Sequence, residues 1–277
     1  MSDLKGKTII ITGSSRGIGR EMALRFARDG ANLVIAAKSA DPHPKLPGTI
    51  HSVAAEVQSA GGQALALQLD VRDEDAMRMA AQRTADVFGG IDAVINNAGA
   101  IKLTGAEITP LKRFDLMHQI NTRAVLGMTQ AALPWLKKSR NPHVLNLSPP
   151  LNMNPKWFKT YGPYTLTKYG MSMLTLAMSE EFRRYGIAVN SLWPRTLIAT
   201  AAVEFEAGSA AVLDAARKPA IMADAAYAIL TQAATSCTGQ WLIDEAVLRA
   251  QGTTDFEEYR HNLTSGKPLV TDLFIDD

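Results

Sequence analysis

The stretch Thr8-Ile9-Ile10-Ile11-Thr12-Gly13-Ser14-Ser15-Arg16-Gly17-Ile18-Gly19 decides how this chain is read. Its β-branched run favours a short strand, glycine closes that strand, and the apolar periodicity over 18–28 predicts a helix. Gly13, Gly17 and Gly19 permit a tight turn and a close backbone approach to a pyrophosphate. The helix start behind them supplies unpaired N–H groups and a field that favours an anion. Ser15, Arg16 and Ile18 share the turn and join the glycines as cofactor-binding candidates. The spacing is not G-x-G-x-x-G, so placement between strand and helix carries this expectation.

Outward from this turn the alternation continues. Strands are expected at 32–37, 64–70, 91–96, 144–148, 187–192 and 240–244, with helical patterns between them and one around 52–60. Together with the first strand they predict an α/β fold: a doubly wound, Rossmann-type parallel sheet of about seven strands with helices on both faces. Ligands of such sheets sit at the carboxyl edge. No Gly/Ser-rich linker divides the chain, so 1–277 reads as a single domain. Two segments interrupt the repeat. Residues 41–47, with three prolines, read as a stiff surface loop, and 149–163 as a long loop carrying Trp157, Phe158 and Tyr161. Those aromatics either line a pocket or pack onto the body or a neighbouring subunit.

The chain has 277 residues and is 47% apolar, enough for a substantial core. Its 29 basic and 27 acidic residues leave a charge of +2, which gives no reason to expect a nucleic acid or an anionic membrane as partner. Cys237, the only cysteine, excludes an intrachain disulfide and a thiolate metal cluster, and reads as a small packed side chain. The five histidines lack a ligand motif, so no metal is expected. Residues 1–7 lead into the first strand without a signal-peptide pattern, and no stretch suits a membrane span, so the expected location is cytoplasmic.

At the end of the second strand stands Ala36-Ala37-Lys38-Ser39, without the carboxylate that would meet the ribose hydroxyls of NAD. Lys38 and Arg16 offer positive charge to a 2′-phosphate, which favours NADP over NAD, unless both simply face water. Asp70, with Val71 beside it, either meets the adenine or caps the next helix. Asn97, Ala98 and Gly99, after the fourth strand, suit a close-fitting wall beside the ribose.

Tyr164 and Lys168 lie four apart in a helix expected over 164–185 and so share a face. The ammonium is expected to favour the phenolate, letting Tyr164 take a proton from an alcohol or return one to an alkoxide.

Tyr164, Lys168, the glycine turn, Asn96-Asn97-Ala98-Gly99 and Asn121 together resemble the short-chain dehydrogenase/reductase family over roughly residues 5–250. Ala36-Ala37-Lys38, His43-Pro44-Lys45-Leu46, Asn146-Leu147-Ser148-Pro149-Pro150-Leu151-Asn152 and Lys168-Tyr169-Gly170-Met171-Ser172-Met173 are similar to the hydroxysteroid dehydrogenase-like protein 2 branch. The resemblance implies an NADP-dependent oxidoreductase that interconverts an alcohol and its carbonyl by hydride transfer. Tyr164 would be the acid/base, Lys168 would bind ribose, and Asn121 would support a water-linked proton path. It also implies a homotetramer or homodimer with the tyrosine-bearing helices at an interface.

Several positions depart from the family pattern. Ser148 matches the first of two serines and Pro149 replaces the second, so Ser148 either reaches the substrate oxygen or only braces the strand end. Pro194-Arg195-Thr196 stands where Pro-Gly is usual; Pro194 and Thr196 are expected beside the carboxamide, and Arg195 beside a phosphate, a carboxylate or solvent. A small substrate cover is expected near 195–215 and an extension near 252–277, whose Tyr259, Leu263, Leu269, Leu273 and Phe274 would cover the core or a partner. Neither a terminal Ser-Lys-Leu address nor the sterol-carrier-like domain of longer relatives is expected, so the peroxisomal and lipid-carrier properties of such relatives are not carried over. Trp157, Phe158, Leu197 and Phe205, where they face inward, suggest a small apolar alcohol or carbonyl substrate. Pro149 and Arg195 motivate the alternative of an NADP-binding protein with weak or lost catalysis; a structural oligomer is the third reading.

Overall fold

The computed structural model describes residues 3–44 and 46–276, so Lys45 of the expected 41–47 loop lies outside the described residues, as do Met1, Ser2 and Asp277. The β-branched run becomes β1 (Thr8–Thr12), buried along its whole length. Ile9 and Ile11 enter the core on one face of the sheet and Ile10 enters the core on the other, because successive side chains of a strand alternate. Gly13 adopts φ 68°, a left-handed conformation that turns the chain into α1 (Gly17–Ala27).

The first half continues through β2 (Asn32–Ala37), α2 (Ile50–Ser59), β3 (Gln63–Gln68), α3 (Glu74–Phe88) and β4 (Ala93–Asn96). The second runs through α4 (Leu111–His118), a π-helical turn (Gln119–Arg123), α5 (Ala124–Leu136), β5 (His143–Asn146), α6 (Lys156–Phe182), β6 (Ala188–Trp193), α7 (Ala201–Ala207), α8 (Ala220–Leu230), β7 (Trp241–Ile243) and α9 (Asp244–Ala250). All seven strands pair in parallel in the order β3-β2-β1-β4-β5-β6-β7. The order reverses between β1 and β4, which opens a crevice at their carboxyl ends. Residues such as Met22, Phe26, Val53 and Ile229 fill one face, and Met77, Met128, Met171 and Phe182 the other.

Two expectations are corrected, and of the placements left open for the 149–163 aromatics Trp157 and Phe158 take packing onto the body. The third strand ends at Gln68 rather than Asp70, where its pairing with Ala37 stops, and this frees Asp70 from the ladder. The expected 149–163 loop is shorter, because helix begins at Lys156 and bends at Tyr161 (φ −130°, ψ 23°). Pro163 falls just beyond that bend, where its missing N–H removes little. Trp157 and Phe158 do not line the pocket but pack 5.6 Å from Phe274 and 5.7 Å from Tyr169 respectively, between ring centroids.

The C-terminal segment returns across the carboxyl edge of the sheet as a strap. Phe256 and Tyr259 enter one core, while Leu263 stays exposed. Further along, Leu197 N–H donates to Val270 O at 2.9 Å, Asp272 N–H to Arg195 O at 3.1 Å, and Trp193 Nε1–H to Leu273 O at 2.9 Å. Phe274 (φ 71°) is the only non-glycine with positive φ among the described residues, and its ring is buried. Among those residues no helix is long and apolar enough to cross a membrane.

Candidate active site

A pocket of about 770 Å³ opens along the carboxyl edge, from Lys38 and Asp70 at one end to Tyr164 and Lys168 at the other. Gly13, Ser15, Arg16, Gly17 and Ile18 form its floor. Arg16 gives α1 no side-chain cap and the first turn contains no acid, so its leading N–H groups are left for an anion. These residues fit the pyrophosphate of a dinucleotide. Gly19 is not in the wall; a Cβ there would lie 2.6 Å from Asn97 Nδ2 and 2.9 Å from Ser14 Cα, so its part is close packing. Asn97 Nδ2 donates to Thr12 O and Gly13 O at 2.8 and 3.1 Å, tying the turn to the end of β4, and Ala98 and Gly99 continue the wall.

At the Lys38 end of the pocket the loop after β2 is locked to the turn. Arg16 donates to Pro47 O (2.9 Å), Ser39 Oγ (3.1 Å) and Gly48 O (3.2 Å). Gly48, at φ 80°, approaches so closely that a Cβ would lie 2.2 Å from Ser15 O. The 41–47 segment, read as surface architecture, therefore ends in a buttress of the cofactor turn. Lys38 Nζ lies 3.4 Å from Asp70 Oδ2, and Arg72 Nη2 lies 2.5 Å from the same oxygen. The Arg72 hydrogen bonds hold the Asp70 carboxyl far below the usual carboxylate range, with Lys38 adding to the effect. Val71 joins this wall. Arg72 escaped the sequence reading, although a cation two residues after a strand-end acid was a signal for it.

At the reacting end, Tyr164 and Lys168 are both buried in the wall, beside Leu147, Trp193 and Pro194. Lys168 Nζ donates to Leu147 O at 2.5 Å and stands 4.9 Å from the Trp193 ring centre. Asn121 lies in the π-helical turn, a distortion that re-aims side chains. Its Nδ2 donates to Ala100 O and Thr167 Oγ1, both at 2.9 Å, and its Oδ1 accepts Ala100 N–H at 2.8 Å. It thus clamps the segment after β4 to α6.

Ser148 and Thr196 are buried outside the pocket wall, and the hydroxyl of each meets no hydrogen-bond partner among the described residues. Leu197 lines the pocket with Thr200, Ala201, Val203 and Val212, whereas Phe205 is 83% exposed and points away, against expectation. Sequence reasoning missed Asp272 and Glu206, both in the wall, and read Leu273, also in the wall, as a cover of the core or a partner.

The electrostatics also differ from expectation. Burial pushes the Tyr164 hydroxyl well above the ordinary phenol range, and the Asp272 and Glu206 charges push it the same way. Burial brings Lys168 down to about 7 against the opposing pull of Asp272. The expected ammonium-stabilised phenolate is outweighed, because the walls that enclose the phenol also disfavour the lysine's charge.

A profile described as short chain dehydrogenase matches residues 7–207. The chain belongs to this family. The short-chain dehydrogenase is 55% identical over 273 residues to hydroxysteroid dehydrogenase-like protein 2 of Danio rerio, an alignment covering 99% of this chain and 65% of that relative. It therefore spans less than two thirds of that relative's length. A short chain dehydrogenase from Mycobacterium thermoresistibile superposes with TM-score 0.93 at 48% identity, covering 99% of this chain and 97% of that one. A metagenomic short-chain oxidoreductase in complex with NADP superposes with TM-score 0.72 at 26% identity, covering 87% and 98%. The strap of this short-chain dehydrogenase lies beyond the span matched to the broad family.

Proposed function

We propose that the protein is an NADP-dependent oxidoreductase that interconverts a small apolar alcohol and its carbonyl. The observation that carries this reading is the burial of Tyr164 and Lys168 in one pocket with the uncapped start of α1. A nicotinamide bound there supplies or accepts the hydride. Tyr164, held as a neutral phenol by its burial, gives its proton to the oxygen of a carbonyl under reduction. Lys168 places positive charge toward the ribose, and Asn121 fixes the wall beside it. Arg16 and Lys38 favour a 2′-phosphate at the far end, where β2 ends without an acid.

The 195–215 segment serves as a substrate cover on the single domain, since Leu197, Ala201, Val203 and Val212 give the pocket an apolar roof. Leu166, Met173 and Leu176 stand exposed on α6, which supports a homodimer or homotetramer built on that helix.

The test measures NADPH and NADH oxidation across apolar ketones and aldehydes, with wild type and Tyr164→Phe matched for cofactor binding. Turnover with NADPH preference that disappears in Tyr164→Phe supports the reading. Equal turnover by the two proteins overturns the role of Tyr164. Cofactor binding without turnover by either favours the second reading, a dinucleotide-binding protein with weak or lost catalysis, which Pro149 and the placement of Ser148 outside the wall support.

A further inference from the structure

A carbonyl oxygen gains negative charge as its carbon is reduced, and a preorganised polar neighbour lowers the barrier. The wall around Tyr164 supplies few such neighbours. Both Nδ2 hydrogens of Asn121 are engaged, as is Asn97 Nδ2, and the Ser148 hydroxyl lies behind the wall. Pro149 has no donor. Glu206 already accepts Leu103 N–H at 2.9 Å and pairs with Lys102 at 3.3 Å. Asp272 is different: it is only 9% exposed, it lines the pocket, and the side-chain bond that holds it in place is Leu273 N–H to Oδ1 at 2.6 Å.

We propose that Asp272, carried into the pocket by the C-terminal strap, is a substrate-contacting residue whose carboxyl holds the reacting oxygen opposite Tyr164. This rests on the oxidoreductase reading above. The strap is built for such a role. Thr271 bridges to Thr196, Asp272 N–H donates to Arg195 O, and the next two residues are fixed by Trp193 Nε1 and Asn152 Nδ2. Phe274 stacks on Tyr164, so one short segment positions both the phenol ring and the carboxyl.

To donate a hydrogen bond the carboxyl must keep its proton. Burial pushes Asp272 up to about 7, the nearby charge of Asp244 acts in the same direction, and that of Lys168 acts against it. Tyr164 and Glu206 also share its pocket. In the proposed step Asp272 shares its proton with the substrate oxygen without giving it up; the proton that is transferred is that of Tyr164.

The experiment compares Asp272→Asn, which keeps the shape and a donor, with Asp272→Ala, which keeps neither. Both are assayed with NADPH on a series of 2-alkanones and acetophenone, alongside NADPH titration, thermal melting and the infrared carboxyl band. The expected result is a loss of about 100-fold in kcat/KM for Asp272→Ala at unchanged NADPH affinity, and a loss of less than about tenfold for Asp272→Asn. The protonated-carboxyl band, perturbed when acetophenone binds, should vanish in Asp272→Asn. Wild-type turnover by Asp272→Ala, or an equal loss in both variants, overturns the proposal while leaving the oxidoreductase reading intact. If the alanine variant does not fold, the asparagine variant decides: a loss of about 100-fold overturns the proposal, and retention together with the infrared shift supports it. Absence of Tyr164-dependent turnover in wild type overturns both readings.

Discussion

The Phe274 ring lies against the Tyr164 ring, with centroids 6.2 Å apart and planes inclined by 28°. The two residues are far apart in sequence, and the contact places the C-terminal strap directly on the proposed acid/base. Trp157, Tyr169 and Trp193 close around the same phenylalanine.

Removing that ring should therefore damage both packing and catalysis. Phe274→Ala is expected to cost about 3–5 kcal/mol. For a chain of this size the melting midpoint would fall by roughly 10 °C. Thermal denaturation checks the first effect, and a raised KM at temperatures where the variant is folded checks the second.

Gly48 offers a test of the buttress beneath the cofactor turn. Ala at this position would need an unfavourable φ and would drive its Cβ into Ser15 O. Gly48→Ala is expected to weaken NADPH binding at least tenfold, about 1.4 kcal/mol. Gly90→Ala, where the added Cβ meets nothing within 4 Å, should leave binding unchanged. Fluorescence titration of both variants measures the difference.

Arg16 and Lys38 should distinguish the two cofactors. Arg16→Ala removes the bonds to Pro47, Ser39 and Gly48 and so is expected to weaken both cofactors, with NADPH losing about tenfold more than NADH through the lost charged contact to a phosphate. Lys38 is largely exposed and shares its charge with Asp70, so Lys38→Ala should give a smaller loss of the same sign. Equal losses for both cofactors in isothermal titration would remove the assignment of these side chains to the 2′-phosphate.

Two buried groups set opposite pH dependences of stability. Burial raises Asp272 from an ordinary value of 3.8 to about 7, so its contribution is full below the unfolded value and is lost as pH rises toward 7. Burial lowers His143 from 6.5 to about 4, with the Lys7 charge adding to the effect, so its contribution is full above 6.5 and is lost as pH falls toward 4. In melts across this range, Asp272→Asn should gain on wild type at the alkaline end. His143→Gln should show a flatter acid side.

The exposed apolar face of α6 predicts its own outcome. Leu166→Lys combined with Met173→Lys should reduce the mass measured by light scattering to that of a monomer, with little loss of melting temperature. A wild-type protein that is already monomeric at assay concentration would remove the proposed assembly.

The sheet was legible because its information is local. A run such as Thr8–Thr12 is β-branched and ends in glycine, and Tyr164 and Lys168 fall on one helical face by spacing alone. The 156–163 helix was hidden because Pro155, Gly162 and Pro163 all signal interruption, whereas the bend at Tyr161 lets helix lie on both sides of it. Asp272 was hidden for a different reason. Nothing near it in sequence distinguishes it from a surface acid, and its setting is created by Lys168 of α6, Arg195 after β6 and Asp244 of α9, all contributed earlier in the chain.

The strap also comes last in the order of the chain. The turn at 13–19, the end of β2 and the wall at 97–99 all precede Tyr164 in the chain, whereas Asp272 and Phe274 follow it by about a hundred residues. The proposed dinucleotide cradle is therefore encoded ahead of the segment that closes over the reacting end. On the roles proposed for Asp272 and Phe274, a chain terminated before the strap is expected to sequester cofactor without consuming it.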